Sequence, residues 1–329
     1  MHPIVIAHRG ASGYRPEHTL AAYELAIAQG ADFIEPDLVI TADGVLVARH
    51  ENNITDTTDV GDRSEFAKRH TTKQIDGVEV TGWFTEDFTL AELNTLRACE
   101  RLPFRDQQWN GQFTIPTFQE ILELVQHHAQ TTGRMVGIYP ETKHPSYFRS
   151  LGLPLEPPLL SLLERYGYRG QSASVMIQSF EAGNLQALRH QTELPLIQLL
   201  GEAEEIQFDT GGSYQAQTTP DALQAIAQYA NGIGVSKRLV IPEDCADSSR
   251  LSAPTALVEA AHQAGLWVHV YTLRSDPNFL HPTYRGDPGQ EYQQFLALGI
   301  DGMFSDFPDI AVQERDRWIT SLSLSVQTS

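Results

Sequence analysis

Cysteine is nearly absent from the 329-residue chain. Only Cys99 and Cys245 occur, too few and too dissimilar in context for a disulfide framework or a thiolate zinc site. Positive charge is also scarce: 23 Lys and Arg stand against 42 Asp and Glu, a formal net charge of −19. The cations are scattered, so neither nucleic acid nor an anionic membrane finds a basic patch. No apolar run approaches the roughly 20 residues that cross a bilayer. Nor does a charged n-region, apolar segment and cleavage site precede the first apolar run at Ile4. These absences predict a cytoplasmic protein without stable membrane insertion, with a periplasmic or secreted location as the alternative if a leader precedes the sequence given. An anionic substrate would have to be attracted locally, by a few cations or a bound metal.

What the chain does have is alternation. Short β-branched runs lie near 4–8 (IVIAH), 33–39, 135–143, 175–179, 195–200, 231–237, 267–273 and 301–306, most followed by a helical pattern. Near-continuous apolar strands of this kind suit a parallel sheet covered by helices. Helix boundaries are marked by Gly30, Gly265 and Gly299 as stops and by capping boxes at Thr89–Glu92 and Thr117–Glu120. Eight strand–helix units predict an α/β fold, a (β/α)8 TIM barrel forming one domain over 1–329, with a doubly wound open sheet as the alternative. One polar segment, 51–115, breaks the alternation. It reads as an inserted cap after the second strand with a short helix near 90–97, and long insertions over an active face tend to serve as lids or substrate walls.

Barrel chemistry sits at the C-terminal strand ends, and the polar residues fall there: His8 and Arg9, Glu35 and Asp37, Glu141 and Lys143, Gln178, Lys237 and Asp306. Glu35 and Asp37 alternate and so share a face. The Asp43-Gly44 dipeptide signals a two-residue hairpin, which pairs Ala42 with Val45 and brings His50 opposite Asp37. Three carboxylates, Glu35, Asp37 and Glu141, form a hard oxygen site suited to Mg²⁺ or Ca²⁺. Without a cation they would repel one another. Arg9 and Lys143 can grip phosphate oxygens, one as a planar fork and one as a point charge. His8 and His50 stand beside charges at strand ends, where each can act as acid, base, ligand or supporting partner. The ten other histidines, His18 among them, read as surface or structural.

The run AHRGASGYRPEHTLAAYELAIAQGADFIEPDLVITADGVLVARHE resembles the signature of glycerophosphodiester phosphodiesterases. GIYPETK, the Gln178-Ser179-Phe180 strand end, VYTLRSD and GIDGMFSDFPD resemble that family's later motifs in order, so the likeness extends over nearly the whole chain. The inserted segment is similar to that of longer bacterial members. The resemblance implies a TIM barrel with a small cap that releases glycerol 3-phosphate and an alcohol from glycerophosphocholine or glycerophosphoethanolamine. It implies His8 and His50 as the acid–base pair and Glu35, Asp37 and Glu141 as ligands of one divalent cation, Ca²⁺ ahead of Mg²⁺. Arg9 and Lys143 match phosphate-binding positions, and Glu17 braces the first loop. The insert, with Phe180 and Tyr271, is expected to set head-group preference, with Gln178 also contacting substrate. A monomer or homodimer acting on a small molecule follows. Two departures stand out: Pro36 separates the two acidic residues, and Glu51 follows His50 where aspartate is more familiar.

The alternatives are a phospholipase-like phosphodiesterase on the same barrel and a catalytically silent phosphate-binding barrel. The first would need an apolar rim, for which only Trp83, Phe84 and Phe88 are candidates. The second would need a lost acid, base or ligand, and none is lost. Amidohydrolases place His-x-His on the first strand, and retaining glycosidases want a glutamate at the end of the seventh. Neither pattern is present.

Overall fold

Eight parallel strands close into a barrel in the computed structural model, which describes residues 2–327; Met1, Thr328 and Ser329 of the expected domain lie outside it. The barrel strands are β1 (Ile4–His8), β2 (Phe33–Glu35 and Asp37–Ile40), β3 (Gly137–Ile138 and Glu141–Thr142), β4 (Ile177–Ser179), β5 (Leu196–Leu200), β6 (Gly232–Ser236), β7 (Trp267–Leu273) and β8 (Gly302–Ser305). Each pairs in parallel with its two sequence neighbours, and β8 pairs with β1 to complete the ring. The expected barrel is thus the one observed.

Helices lie between most strands and bury their apolar faces on the outside of the ring. Helix Phe118–Thr132 shows why its sequence stops where it does. Thr117 and Glu120 close the capping box at its start, and Gly133 takes the left-handed conformation (φ 73°) at its end. The Thr89 box forms as well, but the helix it begins spans only Leu90–Leu93 and is shorter than expected. Inside the ring, Ile6 of β1, Ile197 of β5 and Phe304 of β8 form one buried cluster with Tyr139. A cluster that draws on β1 and β5, from opposite sides of the ring, fills the centre with side chains.

Prolines interrupt two strands at the same level. Pro36 and Pro140 have no N–H to give the ladder, so β2 and β3 pair below the breaks (Phe33 with Gly137, Ile34 with Ile138) and again above them (Asp37 with Glu141). The carbonyl of Pro36 still accepts from Glu141 N at 3.0 Å, and that of Pro140 from Gln178 N at 2.9 Å. Pairing resumes in register, which keeps both acids of β2 at the mouth despite the proline between them.

Residues 51–115 hold three 3-10 turns, a hairpin (Thr71–Ile75 and Val78–Gly82) and the short helix. Phe84 and Phe88 are fully buried, so they are packing residues and not the rim of a membrane-contacting face. No helix among the described residues is long and apolar enough to cross a membrane.

Candidate active site

β1 ends in an abrupt reversal. Arg9 (φ 61°) and Gly10 (φ 84°) are both left-handed, and a Cβ on Gly10 would lie 2.7 Å from the backbone of Ala22. Glycine is therefore required there. The reversal turns His8 and Arg9 into the barrel mouth. His8 Nδ1–H donates to Asp306 Oδ1 at 2.6 Å, leaving Nε2 toward Glu35 Oε2 at 3.9 Å. Burial, and then the neighbouring Arg9, push the His8 imidazole down to about 4 against the pull of Asp306. Asp306 is held ionised despite its burial by Arg274, His8 and Arg105.

Arg9 binds the carboxylates on either side of it. Its backbone N–H donates to Glu35 Oε2 at 3.0 Å, its guanidinium donates to both oxygens of Glu17, and Nε lies 3.4 Å from Asp37. Glu17 also accepts from Arg101 at 3.0 Å. The expected brace of the first loop by Glu17 thus runs through the Arg9 side chain.

Glu35, Asp37 and Glu141 each offer an oxygen within 4.8 Å of the other two, all of them buried. At that separation a pair of carboxylates repels by about 3.5 kcal/mol at an effective dielectric of 20, so three cannot all stay ionised unaided. Desolvation and then Asp37 push Glu35 well up, and burial raises Glu141 to about 8 even though Lys143 Nζ lies 3.0 Å away. Asp37 alone goes down: burial opposes ionisation, but His18, Lys143 and Arg9 outweigh it. Its Oδ1 is buried with no hydrogen-bond partner. Oxygen donors set this closely, one of them unpartnered, fit a divalent cation.

The hairpin that returns to His50 differs from the sequence expectation by one residue. Leu38 pairs with Ala48 and Val39 with Val47, so Arg49, not His50, lies opposite Asp37, with Arg49 N donating to Asp37 O at 2.9 Å. The turn is a three-residue loop with only Gly44 left-handed (φ 81°). Thr41 Oγ closes it by accepting from Val45 N and donating to Asp43. His50 nevertheless lines the same cavity as His8, because the strand ends at Ala48 and the chain bends inward. Its Nδ1 meets Glu51 at 3.0 Å. Lost hydration, Arg9 and Lys143 all depress its pKa.

The cavity is about 410 Å³. His8, Arg9, Glu35, Asp37, His50 and Glu141 line one side. Phe180 and Tyr271 line it too, with rings edge-to-face at 6.3 Å, but the Tyr271 hydroxyl is committed to Leu200 O at 2.7 Å. Gln178 gives its amide N–H to Glu35 Oε1 at 2.7 Å, so it steadies a carboxylate first. Lys143 faces a neighbouring cavity of about 240 Å³ that shares Glu141 and Phe180. No residue of 51–115 is among those lining the main cavity; the outer wall comes from the loops after β5, β6 and β7, with Glu202, Arg238, Glu243, Asn278 and Phe279. The expected substrate wall therefore lies elsewhere than in the insert.

Sequence reasoning missed the residues that hold the others. His18, read only as surface or structural, is fully buried with Nε2 on Asp37 at 2.9 Å and Nδ1 on Tyr23. Arg105, from the insert, clamps Asp306 and Asp276 from behind His8. A cation in a polar loop carries no pattern that announces such a contact.

Comparison with known proteins agrees with this geometry. The model of the glycerophosphoryl diester phosphodiesterase family matches residues 8–310. The glycerophosphodiester phosphodiesterase GDPD6 of Arabidopsis thaliana is 42% identical, covering 93% of this chain and 84% of its own. The glycerophosphodiester phosphodiesterase of Haemophilus influenzae is 32% identical over 94% and 89%. Among solved structures, an Oleispira antarctica phosphodiesterase in complex with its product sn-glycerol-3-phosphate aligns with a TM-score of 0.64 at 21% identity, over 96% of this chain and 97% of that one. At that identity the likeness speaks for the fold alone. The family model and the two relatives carry more: this chain belongs to the glycerophosphoryl diester phosphodiesterase family and is a phosphoric diester hydrolase acting on glycerophosphodiesters.

Proposed function

We propose that the chain cleaves glycerophosphodiesters such as glycerophosphocholine and glycerophosphoethanolamine to glycerol 3-phosphate and the free alcohol, using His8 and His50 as the acid–base pair. Enzymes of this family generally depend on a divalent metal, and Glu35, Asp37 and Glu141 are the residues that would hold it here. The observation that carries the reading is the convergence of both histidines on one cavity with a buried acidic cluster that cannot be fully ionised alone. Bound there, a divalent cation supplies Lewis-acid stabilisation of charge on the phosphoryl oxygens. Ca²⁺ is favoured over Mg²⁺ because a site of three carboxylates suits its larger, flexible oxygen shell.

The chain's own groups do the rest. Arg9, fixed by Glu17, presents its planar fork to the phosphate, and Lys143 adds a positive charge from beside Glu141. Asp306 holds His8 with Nδ1 protonated and Nε2 open, and Glu51 does the same for His50. Both imidazoles start neutral at pH 7, as a group that takes the nucleophile's proton must. The anionic substrate between them raises both, so that one can carry a proton to the leaving alkoxide. Each such role contributes about 10²–10⁴ in rate. Residues 51–115 act in this reading as an insert within one barrel domain. They support the first loop and His8 through Arg101 and Arg105, while Phe180 and Tyr271 form an apolar face against the substrate.

The test is glycerol 3-phosphate release from glycerophosphocholine by wild type, His8→Ala, His50→Ala and the double variant. Turnover within a few-fold of wild type in the double variant would remove the acid–base assignment.

A further inference from the structure

Beyond the cavity, a line of side chains runs from His50 to the insert. Glu51 places one oxygen on His50 Nδ1 at 3.0 Å and the other on His144 Nε2 at 2.7 Å. His144 Nδ1 in turn meets Asp76 Oδ2 at 2.5 Å. Glu51 is thus a single carboxylate taking an N–H from each of two histidines, and His144 gives both its ring N–H groups to anions. An imidazole with two carboxylate acceptors is an imidazolium, and its two hydrogen bonds and the charge of Glu51 outweigh burial to raise it to about 9.

Local structure at both ends is built for this contact. His144 sits at φ 46°, a left-handed conformation that costs a non-glycine residue energy and persists only where its surroundings hold it. Asp76 occupies the turn of the Thr71–Ile75 and Val78–Gly82 hairpin, where Asp76 and Gly77 are both left-handed (φ 47° and 79°). That is the two-residue turn whose twist matches the strands. The hairpin buries little of itself: of its strand residues only Ile75 and Gly82 are buried. An isolated two-stranded hairpin is marginal in water, so contacts at its tip matter to where it sits.

The geometry points to Glu51, His144 and Asp76 as a positioning relay that fixes the tautomer and orientation of His50, with the insert hairpin as its outer anchor. The insert then acts on catalysis from behind a histidine, and not as a wall of the substrate cavity. The two oxygens of the Glu51 carboxylate bridge histidines from separate elements, the hairpin return and the loop after β3. A group that holds a catalytic imidazole in one tautomer is felt in turnover more than in binding. This inference rests on the acid–base reading of His50.

The experiment measures kcat and KM for glycerophosphocholine in Glu51→Gln and Asp76→Asn, each made alone and in a His50→Ala background. Glutamine offers one acceptor where two are needed. The relay predicts a loss in kcat of roughly tenfold or more for Glu51→Gln, within the range an acid–base group commands, with KM changed by less than about twofold. Asp76→Asn, at the hairpin tip and one step further from His50, should fall in the same direction by less. In the His50→Ala background neither substitution should lower the residual rate further. Wild-type kcat in Glu51→Gln beside a crippled His50→Ala would overturn the relay alone. So would a loss that persists undiminished without His50, which is what mere structural support gives. Near-wild-type turnover in His50→Ala would overturn the assignment of His50 and the relay with it.

Discussion

Where β1, β2 and β3 end, the charged side chains that face the mouth are almost wholly enclosed: His8, Arg9, Glu35, Asp37, Glu141 and Lys143 are each at most 7% exposed. Where β5, β6 and β7 end, Glu202, Glu243 and Asn278 lie open to solvent, and Arg238, Phe279 and Tyr271 are half-buried. The first side leaves its groups almost no freedom. Each has a partner: Arg9 has Glu17, Asp37 has His18, Glu35 has Gln178, His8 has Asp306, and Glu141 and Lys143 have each other. Preorganised charges in a dry site are what phosphoryl chemistry needs, whereas half-exposed side chains can adapt to one alcohol or another. The contrast suits the proposal that the chemistry belongs to one half of the mouth and substrate choice to the other.

That division can be broken most sharply at His8. His8→Ala should lower kcat by about 10²–10⁴ and leave KM nearly unchanged; a loss confined to KM would erase the distinction between the halves. The acidic cluster gives the next largest effect. Without a cation, a carboxylate raised to about 8, as Glu141 is, binds a proton in the folded state that it has released in the unfolded one. Stability of the chelated protein should therefore fall as pH rises from the ordinary carboxylate value through about 8. Added Ca²⁺ should stabilise it more at pH 8 than at pH 5, read as melting temperature with and without chelator.

His144 contributes a decline of the same sign, in a higher pH window. Its pKa is raised to about 9 when folded, so its contribution is complete below about 6.5 and is lost as pH climbs through about 9. At most about 3 kcal/mol is at stake. Thermal unfolding between pH 6.5 and 9.5 should show a decline that His144→Gln removes. The smallest effect belongs to the adaptable wall. Phe279→Ala or Glu243→Gln should shift KM for one head group relative to another by a few-fold, on the order of 1 kcal/mol, with kcat nearly constant.

Much of this architecture is legible in the residues, and the gaps have physical causes. The eight strands announce themselves as β-branched runs because a parallel sheet buried on both faces demands them. The three acids and His8 fall at strand ends and can be found by position alone. The hairpin register could not, because Thr41 uses its side chain to close a three-residue loop that Asp43-Gly44 would otherwise close in two. Equally hidden is the hold on His8, whose partner Asp306 stands 298 residues away in sequence. His18 looks like one more polar residue in PEHT until the fold buries it against Asp37. Periodicity reports which face is apolar; it does not report which distant charge arrives behind a catalytic group.

The most direct measurement is glycerol 3-phosphate release from glycerophosphocholine after chelation and then with Ca²⁺ or Mg²⁺ restored, in wild type and Glu35→Ala. Release that disappears on chelation, returns with metal, more fully with Ca²⁺, and never returns in Glu35→Ala is the predicted result. Undiminished release after chelation, or full activity in Glu35→Ala, would contradict the assignment of the chemistry to the buried half of the mouth.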